Sequence, residues 1–346
     1  MPFSFHSDLR EKYWSAVAWE LGKAKLVIKN LMGKTAESVI RVKTELQKNA
    51  GDTTYFGVVG EAVGSPVHGD TEILGKEGYI PIYPASVTIE QVAFMARLPS
   101  RFHRRLSSIE LRRLVRDGTA QAVKEDIEKN IIEMLAGVTT AQLGSLGTAP
   151  TSGRHLYGGN ATGAGDMDGN DWFGCYEIRR LIQAAKTLTP RFVRPRVAGR
   201  NMWVCMISPQ MAAKLRNDSE WKNAQMYAAL RGRGNELFSG GSLDYVGEYE
   251  GVLLLESEYI PNVGTDTGGN PIHRAVFCGA QAGAFALGGG PYPLADEASI
   301  YADAGRKPAY GLERDLGFKK VVVDSEDLAT IVMDCSAAGL VATAHS

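Results

Sequence analysis

Along the chain the spacing of apolar positions changes several times, and each change marks an element. Between Ser7 and Leu31, Tyr13, Trp14, Val17 and Leu21 recur at helical spacing, predicting a short amphipathic helix in an N-terminal arm. The pattern then becomes strand-like. Tyr55 to Val59 and Tyr79 to Tyr83 read as the two strands of a ribbon, separated by Gly60, Gly64, Gly69, Gly75 and Gly78. Pro81 and Pro84 have no amide to donate to a ladder, which places the ribbon at an edge rather than inside a sheet. A two-stranded ribbon alone is marginal in water. It therefore needs a surface to lie on, and a second copy of the chain is the expected one. Tyr55, Phe56, Val58, Val59, Tyr79, Ile80 and Tyr83, with Trp14 of the arm, are the predicted subunit-interface residues.

A long helix is predicted from about Ser107 to Ala136, with Ser107 and Glu110 as a capping box and Gly137 as its stop. Leu111, Leu114, Val115, Ala122, Ile127, Ile131, Met134 and Leu135 form its apolar stripe, while Lys124, Glu125, Glu128 and Lys129 fall on the polar side. Gly118 in its middle is expected where another backbone approaches closely. The Gly-, Ser- and Asn-rich stretch from Gly144 to Asp171 reads as a surface loop, with Asp171 capping a helix that carries Ile178, Leu181, Ile182 and Ala185. Met202 to Ile207 is a buried strand, and Ser208-Pro209 supplies a cap and a first helical residue. Two short helices, about Pro209 to Arg216 and Glu220 to Leu230, should follow. Further strands are expected at Val252 to Glu256, Arg274 to Cys278, Lys319 to Asp324 and Thr330 to Asp334. The mixture is α+β.

The 346 residues are 44% apolar, enough for a substantial core. Lys and Arg total 38 against 39 for Asp and Glu, so no global field draws the molecule to nucleic acid or an anionic membrane. No apolar run reaches the ~20 residues that span a bilayer, and the first residues lack the apolar core of a signal peptide. The expected compartment is the cytosol. Cys175, Cys205, Cys278 and Cys335 are widely spaced and read as reduced, buried thiols.

Local chemistry offers few candidates. Arg104, Arg105, Arg112, Arg113 and Arg116, with Arg97 and Arg101, face one acid, Glu110, before Asp117. They either meet nucleic-acid phosphate without reading sequence or pair with carboxylates of adjacent subunits. Asp166, Asp168, Asn170 and Glu177 occupy positions 1, 3, 5 and 12 of a calcium-loop pattern, but position 6 is Asp171 where glycine is needed. The competing reading is a polar turn that caps the next helix. Gly33-Lys34-Thr35 lacks a phosphate loop's first glycine, its place being taken by Ile28. No nucleophile elbow, zinc-protease pair or dinucleotide fingerprint is present, and the six histidines are dispersed. No cofactor or enzymatic activity is predicted. Trp203, Trp221, Tyr227 and Phe238 are candidate interface anchors, with core packing as the alternative for Trp203.

Several long stretches resemble the major capsid proteins of tailed phages, in particular those of N-four-type phages: KTELQKNAGDTTYFGVVGEAVG, GDTEILGKEGYIPIYPASVTIEQV, SPQMAAKLRNDSEWKNAQ, RGRGNELFSGGSLDYVGEYEGVLLLES and LGFKKVVV, in that order. The resemblance implies the Hong Kong ninety-seven type fold. It places an N-terminal arm at 1–50, an extended loop at 51–90 and a peripheral domain with a spine helix at 91–171. An axial domain at 172–290 and return strands at 291–346, completing the peripheral domain, would follow. It further implies an icosahedral shell of hexamers and pentamers in the virion, assembled in the host cytoplasm. Partners would be further copies, a portal, packaged DNA and, lacking an N-terminal coiled coil, a separate scaffolding protein. An encapsulin-like compartment of the same fold and, in another class, a soluble oligomeric enzyme are the alternatives.

Overall fold

The structure, a computed structural model, describes residues 27–338 except 48–50, 61, 70–72, 76, 101–110, 198, 231–244, 297–299 and 304–305. It is α+β, built on two sheets. The first has five strands in the order Met32–Gly33, Ile40–Lys43, Gly283–Asp296, Ala309–Lys320 and Glu90–Arg97. The second has seven, with Trp203–Ile207 between Val252–Glu256 and Pro271–Cys278, and Thr330–Ser336 next to the latter.

The run Trp-Val-Cys-Met-Ile is buried at every position because the second sheet is covered on both faces. Trp203, Cys205 and Ile207 point to one side, with Val252, Leu254, Ala275, Phe277, Ile331 and Met333. There they meet Ile178, Leu181 and Ile182 of helix Cys175–Thr187, Met211 and Leu215 of helix Pro209–Asn217, and Trp221 of helix Ser219–Leu230. Val204 and Met206 point the other way, into a core shared with Phe285, Leu316 and Phe318 of the first sheet and Ile127, Ile131 and Leu135 of the long helix. The cap and first helical residue expected at Ser208-Pro209 are both present: the Ser208 hydroxyl accepts from the Met211 amide at 3.3 Å, and Pro209 starts the helix.

The long helix spans Leu111–Leu135 among the described residues and stops at Gly137, whose φ is +79°. The Ser107 and Glu110 cap lies outside the described residues. One expectation for this helix is corrected. Glu128 is buried, not solvated, because its Oε1 accepts from the backbone amides of Val27 and Ile28 and ties the incoming chain to the helix. A side chain at Gly118 would meet no described atom within 4 Å, so no described part of this chain supplies the close backbone approach expected there.

The stretch from Gly144 to Asp171 is a surface loop only in part. His155–Tyr157 pairs in parallel with Thr330–Ser336 as an edge strand, and Arg154 and Met167 are fully buried. Its polarity is consumed internally. Asp334 is held by Arg274, whose Nε donates to Oδ1 at 2.6 Å and Nη2 to Oδ2 at 2.8 Å, and by His155 Nε2 at 2.7 Å from Oδ2. Burial alone would raise the Asp334 pKa, but the Arg274 and His155 contacts prevail and hold it below the usual carboxylate range. The following helix is capped at Gly174, not at Asp171, with Glu177 accepting from the Gly174 amide at 3.1 Å.

The return strands depart furthest from expectation. The proposed boundary at residue 290 falls inside one strand, Gly283–Asp296, which pairs along its length with Ala309–Lys320 in the first sheet. Thr330–Ser336 belongs instead to the second sheet. The strand expected at Lys319 to Asp324 is the end of Ala309–Lys320 followed by a small hairpin, Val322–Val323 with Glu326–Asp327. Asp324 and Ser325 form its turn at φ +50° and +65°. All four cysteines are free and buried, as expected.

Candidate assembly surface

The ribbon is present, with a shifted second strand. Thr53–Val59 pairs antiparallel with Ile82–Thr88, and a separate bridge joins Val63 to Tyr79 nearer the tip. Pro84 is tolerated because the ribbon has only two strands, so one side of each remains unpaired.

Period two divides its side chains between faces. Phe56, Val58 and Val87 are buried against Ala284, Ala286, Val321 and Val323 of the chain's own body, with Tyr83 and Ala85 beside them. Phe56 and Val58 are therefore intrachain core residues, a correction to their expected place in a subunit interface. The opposite face carries Tyr55, Val59 and Ile82, which are 65%, 68% and 70% exposed. Val63, Ile73, Leu74, Tyr79 and Ile80 continue this apolar exposure towards the tip.

Specific contacts fix the ribbon at its base. Lys43 Nζ donates to the Tyr55 carbonyl at 2.6 Å and lies 5.0 Å from the centre of the Phe56 ring. Tyr83 donates its hydroxyl proton to Asp324 Oδ2 at 2.7 Å, and that contact raises the phenol's pKa above the ordinary value. Ideal Cβ atoms on Gly144 and Gly317 would lie 1.9 and 2.1 Å from the Thr88 carbonyl oxygen, so both positions must lack one for the ribbon to leave the sheet here. Between ribbon and body, Val59, Pro81, Pro190, Val193 and Leu328 line part of a cleft of about 500 Å³.

The other sequence candidates sort differently. Asp166 accepts from the Thr162 amide at 3.1 Å, Asp168 from the Asn170 amide at 2.7 Å, and Glu177 from the Gly174 and Gly159 amides. These groups serve as turn and helix caps. Among the described residues no group of three or more His, Cys, Asp or Glu could hold a metal ion. Trp203 and Trp221 are buried in the core. Trp14, Phe238, Arg104 and Arg105 lie outside the described residues, and only the helical backbone of Arg112, Arg113, Arg116 and Tyr227 is described. Among the described residues no helix is long and apolar enough to cross a membrane.

Sequence reasoning missed the buried pair Lys320 and Asp327, 2.8 Å apart with each side chain only 1% exposed. Burial lowers the lysine's pKa while Asp327 opposes that shift. The pair anchors the hairpin that supports the ribbon. Lys319-Lys320 beside an apolar run gave no sign of which lysine turns inward.

Residues 4–301 match the family described as phage capsid protein. The chain is 24% identical over 350 residues to the major capsid protein of Pseudomonas phage KPP25, covering 92% of this chain and 91% of that one. Its fold is similar to the capsid of Ralstonia phage GP4, with a TM-score of 0.78 and 25% identity over 97% of this chain and 98% of the other. The Cyanophage Pam1 capsid gives a TM-score of 0.76 at 22% identity, covering 98% and 99% of the two chains.

Proposed function

We propose a mode of action from one premise: this chain belongs to the phage capsid protein family. It is a major capsid protein, and its copies form the icosahedral shell of a phage head. Its action is associative rather than catalytic. Symmetry repeats each contact around a capsomer, so a modest free energy per contact is multiplied over the shell. Hexamers and pentamers are the expected capsomers, assembled in the host cytoplasm with a portal and a separate scaffolding protein, around DNA held by non-specific contacts. The long helix fits the role of peripheral spine, and the helices on the far face of the seven-stranded sheet fit an axial domain.

The observation that carries this reading is the two-faced ribbon. Its inner face already has an intrachain partner, yet its outer face leaves Tyr55, Val59 and Ile82 in water. Covering those side chains with a neighbouring copy contributes roughly 25 cal/mol for each Å² removed from solvent. The matches to phage capsids favour a viral shell over an encapsulin-like compartment. Electron microscopy of the expressed full-length chain, with and without a candidate scaffold, tests the proposal. Closed shells are expected. A protein that stays monomeric at high concentration in both conditions contradicts it.

A further inference from the structure

The chain is electrically balanced as a whole but not locally. Between Glu177 and Asp218 the sequence has nine Lys or Arg residues and no Asp or Glu. Some of these cations are neutralised by distant acids. Arg179 pairs with Glu220 and Glu250, Arg200 with Glu248, and Arg216 with Glu256. Arg191, Arg194 and Arg196 are exposed and make no ion pair among the described residues.

Their segment is held firmly. Phe192 and Pro195 are buried and seat it on the body, turning the three arginines outward. The Phe192 amide donates to the Ala185 carbonyl at 3.3 Å, Ala280 to Val193 at 2.8 Å, Arg196 to Glu37 at 2.8 Å, and Met202 to Pro195 at 3.0 Å. Arg154 braces the start, its Nη2 donating to the Thr189 carbonyl at 3.0 Å. The Arg194 guanidinium lies 4.2 Å from the centre of the Trp203 ring. A guanidinium stacked on a ring keeps its in-plane N–H donors available to an anion.

We propose that Arg191, Arg194 and Arg196 form a phosphate-binding strip for the backbone of double-stranded DNA, read without regard to sequence. Five residue steps separate Arg191 from Arg196, at most about 16 Å of chain. The same length of duplex carries roughly ten phosphate charges, so the strip meets phosphate in any register. The three cations of the 191–196 stretch are all arginine, whose planar forks match phosphate better than a lysine point charge. Naming packaged DNA as the source of phosphate rests on the capsid function. The binding chemistry itself does not.

The test is fluorescence anisotropy of a 30-base-pair duplex with purified full-length protein across a salt series, comparing wild type with the triple variant Arg191→Gln, Arg194→Gln, Arg196→Gln. Removing three phosphate contacts should weaken binding on the order of a hundredfold at about 150 mM salt and reduce the slope of log K against log salt by about 2.7. The triple lysine variant should keep most of that slope, which separates lost charge from lost folding. Unchanged affinity and slope in the glutamine variant overturn the site. Equal competition by poly-glutamate at matched charge also overturns it, in favour of an acidic protein partner. Electron microscopy of both proteins is the separate readout: failure of wild type to form shells counts against the capsid role, and loss of duplex binding in the glutamine variant supports the strip in either case.

Discussion

The carbonyl oxygen of Thr88 lies 2.1 Å from where a Cβ on Gly317 would be, so ribbon and sheet meet at backbone contact distance. The neighbouring atom is backbone and cannot rotate aside. Gly317→Ala must therefore displace the exit of the ribbon or the Ala309–Lys320 strand. A loss of about 1–3 kcal/mol in unfolding free energy is expected, the usual cost of overpacking. Urea denaturation measures it; Gly57→Ala, where a Cβ meets no described atom within 4 Å, is the control.

Tyr83 and Asp324 tie the returning strand to the hairpin below it. The folded phenol's pKa is raised, chiefly by its hydrogen bond to Asp324, so the contact is complete below the ordinary tyrosine pKa. It is lost as pH rises through the folded value. As pH rises past the phenol's raised folded pKa, ribbon amides should lose protection relative to those of the seven-stranded sheet. In Tyr83→Phe they should exchange faster already at neutral pH, while the seven-stranded sheet keeps its protection. Hydrogen exchange with mass spectrometry reads both.

Asp334 works with the opposite sign. Its folded pKa lies below the ordinary value despite burial, so the carboxylate's contribution is complete above that value and fades as pH falls through the folded one. Wild-type stability should drop below about pH 4. Asp334→Ala should cost about 3–5 kcal/mol at pH 7, because Arg274 is left buried without its partner. That deficit should shrink in acid. Urea unfolding from pH 2 to 7 gives the curve.

Lys320 and Asp327 invite a double-mutant cycle. Either Lys320→Met or Asp327→Leu alone should cost about 3–5 kcal/mol, since each leaves a buried charge. Combined, they should cost far less than the sum, because an apolar pair of similar volume avoids desolvating two ions. Additive losses would mean that the ion pair contributes little.

Some of this architecture was legible in the residues. Trp203 to Ile207 could be read because a strand buried on both faces has no polar positions, and Ser208-Pro209 because its cap is local. The ribbon was legible as a ribbon, but not its inner face. Phe56 and Val58 look no different from Tyr55 and Val59 until Ala284 and Val321, more than two hundred residues later, arrive beneath them. The strand Gly283–Asp296 has no regular apolar alternation through Gly288-Gly289-Gly290, so the sequence pattern did not mark it. In the folded chain, ideal Cβ atoms on Gly288 and Gly289 would meet Ile89 at 2.6 Å and the Tyr292 hydroxyl at 2.4 Å. The stretch 144–171 looked like loop because its carboxylates and glycines serve nearby amides, a use that composition alone does not separate from solvation.

The outer face of the ribbon is the point on which the capsid mechanism turns, and a cryo-electron microscopy reconstruction of the assembled particle examines it directly. Tyr55, Val59 and Ile82 should lie within about 4.5 Å of apolar atoms from a neighbouring copy, while Phe56, Val58 and Val87 remain on their own body. Outer-face side chains still facing solvent in a closed shell would contradict the account.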